Sequence, residues 1–246
     1  MKIIAIIPAR YAATRFPYKL MQPLGNKTVI RHTYDNTLAT NLFDEVYVVT
    51  DHKIIYEDIT SHGGKAIMSK TAHDSGSDRI AEAIKDMDVD IVLNVQGDEP
   101  FVDKQMLQNL LQAFKNDATV KVASPIKKIT DLRKINNPNI VKVAIDKNNN
   151  SLLFSRSPIP YNRDETIAPT YYEHVGVYAF TKAALLQFTN WAPTPLEIAE
   201  KIECLRYLEN AVQLRMVLTD SEIIKIDMPE DLPIAEDYLK KYYANK

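Results

Sequence analysis

The sequence predicts an α/β fold built on a doubly wound, mostly parallel sheet. Two observations carry that expectation. Short apolar runs alternate with helix-spaced segments through the first half of the 246 residues, the pattern of β-α-β units. The runs themselves are nearly continuous in apolar residues, as in strands covered on both faces. On such sheets ligands sit beyond the carboxyl ends of the strands.

Taken in order, KIIAIIPA reads as a buried strand and TVIRHTYDNTLAT as a helix, with Val29, Ile30, Tyr34 and Leu38 on one face. EVYVVTD is a second strand, with Asp51 expected to cap the helix that follows. KAIMS is a third, DRIAEAIKDM a helix, VDIVLNVQGDEP the clearest buried strand, KQMLQNLLQAF a helix and VKVASPI a strand. After about Thr130 the pattern loosens into a hairpin around an Asn-rich turn, residues 136–164. YEHVGVYAFT follows as one strand and TKAALLQF as a helix. PLEIAEKIECLRYLENA reads as one amphipathic helix through Ile198, Ile202, Leu205 and Leu208. QLRMVLT and IIKID read as strands, and PEDLPIAEDYLKKYY as a last helix with Pro229 near its start. No repeat or Gly/Ser-rich linker divides the chain, which suggests a single domain with a β-rich insertion at about 130–180.

Composition narrows the function. A net charge of −2 gives no footprint for general nucleic-acid binding. One cysteine, Cys204, excludes an internal disulfide framework and a thiolate-rich metal site, and fits a reducing, cytoplasmic location. No apolar run approaches the roughly 18 residues of a membrane span, and no leader-like segment precedes the strand at Ile3.

The loop after the first strand, PARYAATRFPYK, carries Arg10, Arg15 and Lys19 and no glycine. Pro8, Pro17, Ala12 and Ala13 suggest a shaped loop. Cations at a strand mouth suit phosphate, which Arg grips in a bidentate way. Neither a Walker-type lysine loop nor G-x-G-x-x-G is present. NVQGDEP sets Gln96 and Asp98 at another strand mouth, with Gly97 expected to supply an unusual φ; a carboxylate there suits Mg²⁺. Asp227 ends the IIKID strand and, by its local sequence, suits a helix N-cap better than a metal. Glu230 and Asp231 suit the positive end of the helix dipole. HDSGSDR reads equally as a loop capped by Ser77 or Asp78 and as a polar lid over a base or sugar. FSRSPIP puts Arg156 at a strand end. Alternation puts His174, Gly176 and Tyr178 on one strand face with an open spot over the glycine, although a lone histidine is more often structural.

In their order and spacing these motifs, with NPNIVKV, PTPLEIAEKIECLR and IDMPEDL, resemble the 3-deoxy-manno-octulosonate (KDO) cytidylyltransferases over essentially the whole chain. The resemblance implies a Rossmann-like nucleotidyltransferase fold with a β-rich dimerisation part. It implies a homodimer that joins CTP to KDO, releasing pyrophosphate and feeding lipopolysaccharide assembly. It further implies a triphosphate clamp of Arg10, Arg15 and Lys19, with Lys19 also catalytic, and Mg²⁺ on Asp98 and Asp227. A second Mg²⁺ on the β and γ phosphates fits the chemistry. Gln96, Arg156, His174, Tyr178 and Glu203 would contact the acid sugar, and Arg79 the nucleotide. Two positions depart from the family pattern. Tyr18 stands where Gly is common, and Cys204 where Gln is common. The second leaves a variant of KDO as an alternative substrate, with nonulosonates as a further one. A catalytically silent nucleotide-binding scaffold is the reading from another class; it predicts lost cations or carboxylates, and all are present.

Overall fold

In the computed structural model of the protein, residues 1–12, 15–73, 75–164, 166 and 169–242 are described. Ala13 and Asp74, named above, lie outside them. The chain divides into two compact units, Met1–Lys104 with Glu222–Lys246, and Gln105–Ser221.

The first unit begins with β1 (Ile3–Ala9), a small ladder of β2 (Pro23–Leu24) and β3 (Lys27–Thr28), and α1 (Val29–Ala39). It continues through β4 (Glu45–Thr50), α2 (Lys53–Thr60), β5 (Ala66–Met68), α3 (Gly76–Ile84) and β6 (Ile91–Asn94). Its strands lie in the order β5-β4-β1-β6, every pair parallel. The mixed α/β architecture with a largely parallel sheet is the one the sequence predicts. Ile4 to Ile7 of β1 are at most 1% exposed, which is why this run carries no polar alternation. The chain order reverses between β4 and β6 on either side of β1, so the loops after β1 and β6 leave the sheet side by side, at the switch point where ligands collect.

Several local expectations are corrected. Thr28, whose hydroxyl accepts from Arg31 N at 3.2 Å, caps α1. Its inner face is Val29, Ile30, Thr33, Tyr34 and Thr37, whereas Leu38 is 51% exposed. The threonines go inside because their hydroxyls bond back to carbonyls four residues earlier. His52, not Asp51, caps α2, and Ser75, not Ser77 or Asp78, caps α3. Gly97 does not adopt a positive φ. A Cβ there would lie 3.1 Å from Pro8 O and 3.2 Å from Ile30 Cδ1, so glycine allows the β6 loop to approach β1 and α1. Gly97→Ala is therefore expected to cost about 1–3 kcal/mol. A thermal midpoint within a degree of the parent's would contradict the close approach.

In the second unit α4 (Lys104–Asn116 as a whole) leads to β7 (Val122–Lys128) and the hairpin of β8 (Lys142–Ile145) and β9 (Ser151–Ser155). Then come β10 (Tyr172–His174), β11 (Tyr178–Thr181), α5 (Lys182–Thr189), α6 (Pro195–Glu200), α7 (Leu205–Glu209) and β12 (Arg215–Leu218). Here β7 pairs antiparallel with β10 and β11 and parallel with β12, while β10, β8 and β9 follow antiparallel. The single strand expected over 172–181 is two strands broken at 175–177. The single helix expected over 195–211 is two, because Lys201 turns to φ 53°; Ile198 is 53% exposed, while Ile202 and Leu205 are buried.

The chain returns to the first unit through residues 222–230 and ends in α8 (Asp231–Tyr242). IIKID is not a strand. Ile226 N donates to Asp98 O at 2.9 Å, which joins this segment to the β6 loop. Pro229 lies just before α8, and the Asp231 carboxylate accepts from the backbone N–H groups of Asp227 and Met228.

Candidate active site

The first unit holds a cavity of about 300 Å³ at the carboxyl ends of β1 and β6. Arg10, Arg15, Lys19, Arg79, Gln96, Asp98 and Asp227 all line it. These seven sequence-predicted residues come from four separate chain segments.

At the centre stands Lys19, on a single 3-10 turn (Lys19–Met21) after the cationic loop. Its ammonium donates to Asp98 Oδ2 in a short contact and to Asp227 Oδ1 at 2.8 Å. Its side chain is only 16% exposed. Arg15 Nη2 approaches Asp227 Oδ2 at 3.7 Å from a side chain 71% exposed. Partial burial works against ionisation of Asp227, but Lys19, Lys225 and Arg15 outweigh it and hold the carboxyl below the usual carboxylate range. The turn depends on Tyr18, at φ 57° and ψ 26°. That is the left-handed region glycine favours, so tyrosine keeps a glycine-type loop path, with its ring against Tyr11 at 4.5 Å between centroids.

Two neighbours escape a sequence reading. Lys225 Nζ lies 3.5 Å from Asp227 Oδ2 and 3.9 Å from Asp98 Oδ2. The clue was its place two residues before Asp227. Glu99, adjacent to Asp98, is pushed up to about 8, first by burial of its carboxyl and then by the Asp98 charge. Arg79 is buried, with Nη2 on Asp51 Oδ2 at 2.8 Å and Nη1 on Ser69 Oγ at 3.0 Å. It braces the cavity wall, and Asp51 is its anchor, which is why Asp51 does not serve as a cap.

Asp98 and Asp227 suit a divalent cation. Both carboxylates converge on one ammonium, and two hard oxygen donors are what Mg²⁺ takes alongside phosphate oxygens and water. Among the described residues no cluster of three or more His, Cys, Asp or Glu side chains is placed to hold a metal, so further ligands would come from substrate and solvent.

The second unit contains the other predicted residues. His174 and Tyr178 come together across the strand break, with ring centroids 5.4 Å apart, and a Cβ on Gly176 would meet nothing within 4 Å. Tyr178 shares a hydrogen bond with Cys204, and burial followed by the nearby Glu203 charge pushes the Cys204 thiol up. The Arg156 guanidinium donates to the backbone carbonyls of Glu200 (2.6 Å), Pro138 (2.7 Å) and Lys201 (3.3 Å).

Burial alone lowers His174 to about 4. Its Nε2 lies 2.9 Å from Ser124 Oγ, whose hydroxyl also faces the Val175 and Val177 carbonyls. With the hydroxyl proton on one of these carbonyls, its oxygen is open to accept from Nε2–H, and burial keeps the ring neutral at pH 7. The unfolded chain would take up a proton near pH 6.5, and the folded chain only near 4. Stability is therefore full above about 6.5 and falls toward 4, by up to roughly 1.4 kcal/mol per pH unit. Denaturant titrations across this window should show a shallower pH slope in His174→Gln; an unchanged slope would contradict a neutral ring in the folded chain.

Residues 4–222 match the family described as Cytidylyltransferase. The chain is 54% identical over 242 residues to the 3-deoxy-manno-octulosonate cytidylyltransferase of Flavobacterium johnsoniae, covering 98% of this chain and 99% of that relative. It belongs to the 3-deoxy-manno-octulosonate cytidylyltransferase family. The family member from Christiangramia forsetii is 51% identical, over 97% of each chain. A solved CMP:2-keto-3-deoxy-manno-octonic acid synthetase complexed with CTP superposes with a TM-score of 0.93 at 32% identity, covering 98% of this chain and 99% of that one. The cavity described above is thus the strand-mouth cleft of a 3-deoxy-manno-octulosonate cytidylyltransferase fold.

Proposed function

We infer that the protein joins CTP to KDO, giving CMP-KDO and pyrophosphate. The observation that carries this reading is the Asp98–Lys19–Asp227 bridge at the mouth of β1 and β6, flanked by Arg10 and Arg15, in a chain of this family. The anomeric hydroxyl of the sugar attacks the α-phosphorus of CTP. An oxygen–phosphorus bond forms, the bond to the β-phosphate oxygen breaks, and the hydroxyl proton passes to solvent. Such transfers ask the protein mainly for positioning and charge stabilisation. Arg10, Arg15 and Lys19 grip the triphosphate and stabilise the pyrophosphate as it leaves. Asp98 and Asp227 hold Mg²⁺, which when bound neutralises phosphate charge. Gln96, Arg156, His174, Tyr178 and Glu203 are assigned to the acid sugar on the motif resemblance, and Arg79 to the nucleotide side.

The product suits lipopolysaccharide assembly and a cytoplasmic location. A homodimer is the oligomeric state that the motif resemblance implies; sedimentation would test it. Among the described residues no helix is long and apolar enough to cross a membrane. Cys204, buried beside Tyr178, favours a second reading in which a modified KDO is the better acceptor. Pyrophosphate release with CTP, Mg²⁺ and a panel of KDO, its variants and a nonulosonate tests both. Release with KDO or its variants is expected; release only with the nonulosonate, or none, overturns the assignment.

A further inference from the structure

Lys225 has no role in the chemistry assigned so far, yet it touches both carboxylates of the site. Asp98 and Asp227 carry two negative charges. Lys19, Arg15 and Lys225 bring three positive charges to them, all within 3.9 Å. The pair is therefore more than neutralised by the chain itself. A divalent cation arriving alone meets a net positive cluster, and must displace the Lys19 ammonium from the point where the two carboxylates converge. A nucleoside triphosphate changes this balance, because its phosphate oxygens offer the same three side chains another anion. Lys225 faces Asp227 Oδ2, whereas Lys19 occupies Oδ1, so the two ammonium groups engage different oxygens of one carboxylate.

We propose that Lys225 is a positioning residue that, together with Lys19, makes divalent-ion binding to Asp98 and Asp227 conditional on the triphosphate. It holds Asp227 and opposes a bare ion, so that metal and nucleotide are taken together. This rests on the reading of Asp98 and Asp227 as metal ligands given above. Its side chain is 44% exposed, which leaves it free to turn from the carboxylates to a bound anion without unpacking a core.

The test is Mn²⁺ binding, followed by the electron paramagnetic resonance signal of the free ion, on the full chain with and without CTP. The proteins compared are the parent, Lys225→Gln, Lys225→Arg and Asp227→Asn. Without nucleotide, Lys225→Gln should bind Mn²⁺ about tenfold more tightly than the parent, since a unit charge a few ångströms from the ion is removed in a partly solvated site. Lys225→Arg should restore weak binding, which a merely structural role would not predict. With CTP the gap between parent and Lys225→Gln should close to about twofold, as the phosphates take over the balance. Equal Mn²⁺ affinity for parent and Lys225→Gln without CTP, while Asp227→Asn weakens the CTP-dependent binding, overturns the proposal and leaves the ligand assignment standing. Mn²⁺ binding that Asp227→Asn leaves unchanged in both conditions removes the ligand assignment and the proposal with it.

Discussion

Asp227→Asn is expected to lower pyrophosphate release by about 10²–10³-fold or more, the range seen when one preorganised charge at a reacting centre is removed. The geometry says why an isosteric change is enough. Asp227 meets three cations, Lys19 at 2.8 Å, Lys225 at 3.5 Å and Arg15 at 3.7 Å. An amide keeps the shape but accepts through one oxygen and carries no charge. The Lys19 ammonium would then keep only one charged partner, Asp98, and two carboxylates would no longer converge on it. Asp98→Asn should act in the same direction, since Asp98 supplies the other half of the bridge. The fold should persist in both, because β1, β4 and β6 bury their side chains independently of the bridge. Turnover within tenfold of the parent in a folded Asp227→Asn protein would remove the residue from the reaction centre.

Lys19→Ala should reduce CTP affinity by roughly ten- to a hundredfold, since a hydrogen bond to a charged group contributes about 1.5–3 kcal/mol. It should also lower the thermal midpoint, which is a change from what loop cations suggest on paper. A surface cation contributes about 0–1 kcal/mol to stability, and the sequence offered no reason to separate Lys19 from Arg15. The structure separates them. Lys19 is largely buried between two carboxylates, and its removal leaves Asp98 and Asp227 facing one another with only Lys225 and Arg15 to compensate. Breaking a buried pair costs about 3–5 kcal/mol; with partial exposure of Asp227 and the two remaining cations, about 1–3 kcal/mol is expected here. Arg15→Ala, by contrast, should weaken CTP binding and leave the midpoint of the ligand-free protein unmoved. Equal midpoints for both variants would show that Lys19 does not bridge.

The buried strands were legible because length and apolarity suffice for a strand covered on both faces: β1, β4, β6 and β7 lie where their runs do. Segments whose fate depends on a partner were not. IIKID has the composition of a strand, but in the fold it finds one hydrogen bond to Asp98 O rather than a ladder. Ile198, Ile202, Leu205 and Leu208 keep helical spacing across a break, since the left-handed turn at Lys201 leaves no trace in apolar periodicity. Leu38 was placed inside on hydrophobicity alone, whereas Thr33 and Thr37 satisfy their hydroxyls within the helix and take that face. At the site, Arg10, Arg15, Lys19, Gln96 and Asp98 were legible from strand-mouth position. Asp227 looked like a cap, because local sequence cannot show that a lysine more than two hundred residues earlier reaches it at 2.8 Å. Lys225 needed Asp227 to be placed first.

The two halves of the Asp98–Lys19–Asp227 bridge lie on either side of the second unit in the chain. This has a consequence during synthesis. At roughly 5–20 residues per second, the ribosome delivers Lys19 and Asp98 early and then makes all of Gln105–Ser221 before Asp227 exists. A nascent chain at that stage can pair β1 with β4 and β6, yet it has only one of the two carboxylates. On the reading of Asp227 as a metal ligand, a chain stalled or cleaved before Glu222 is expected to be catalytically inert rather than partly active, and competence would arrive in one step, with the segment that carries Lys225 and Asp227.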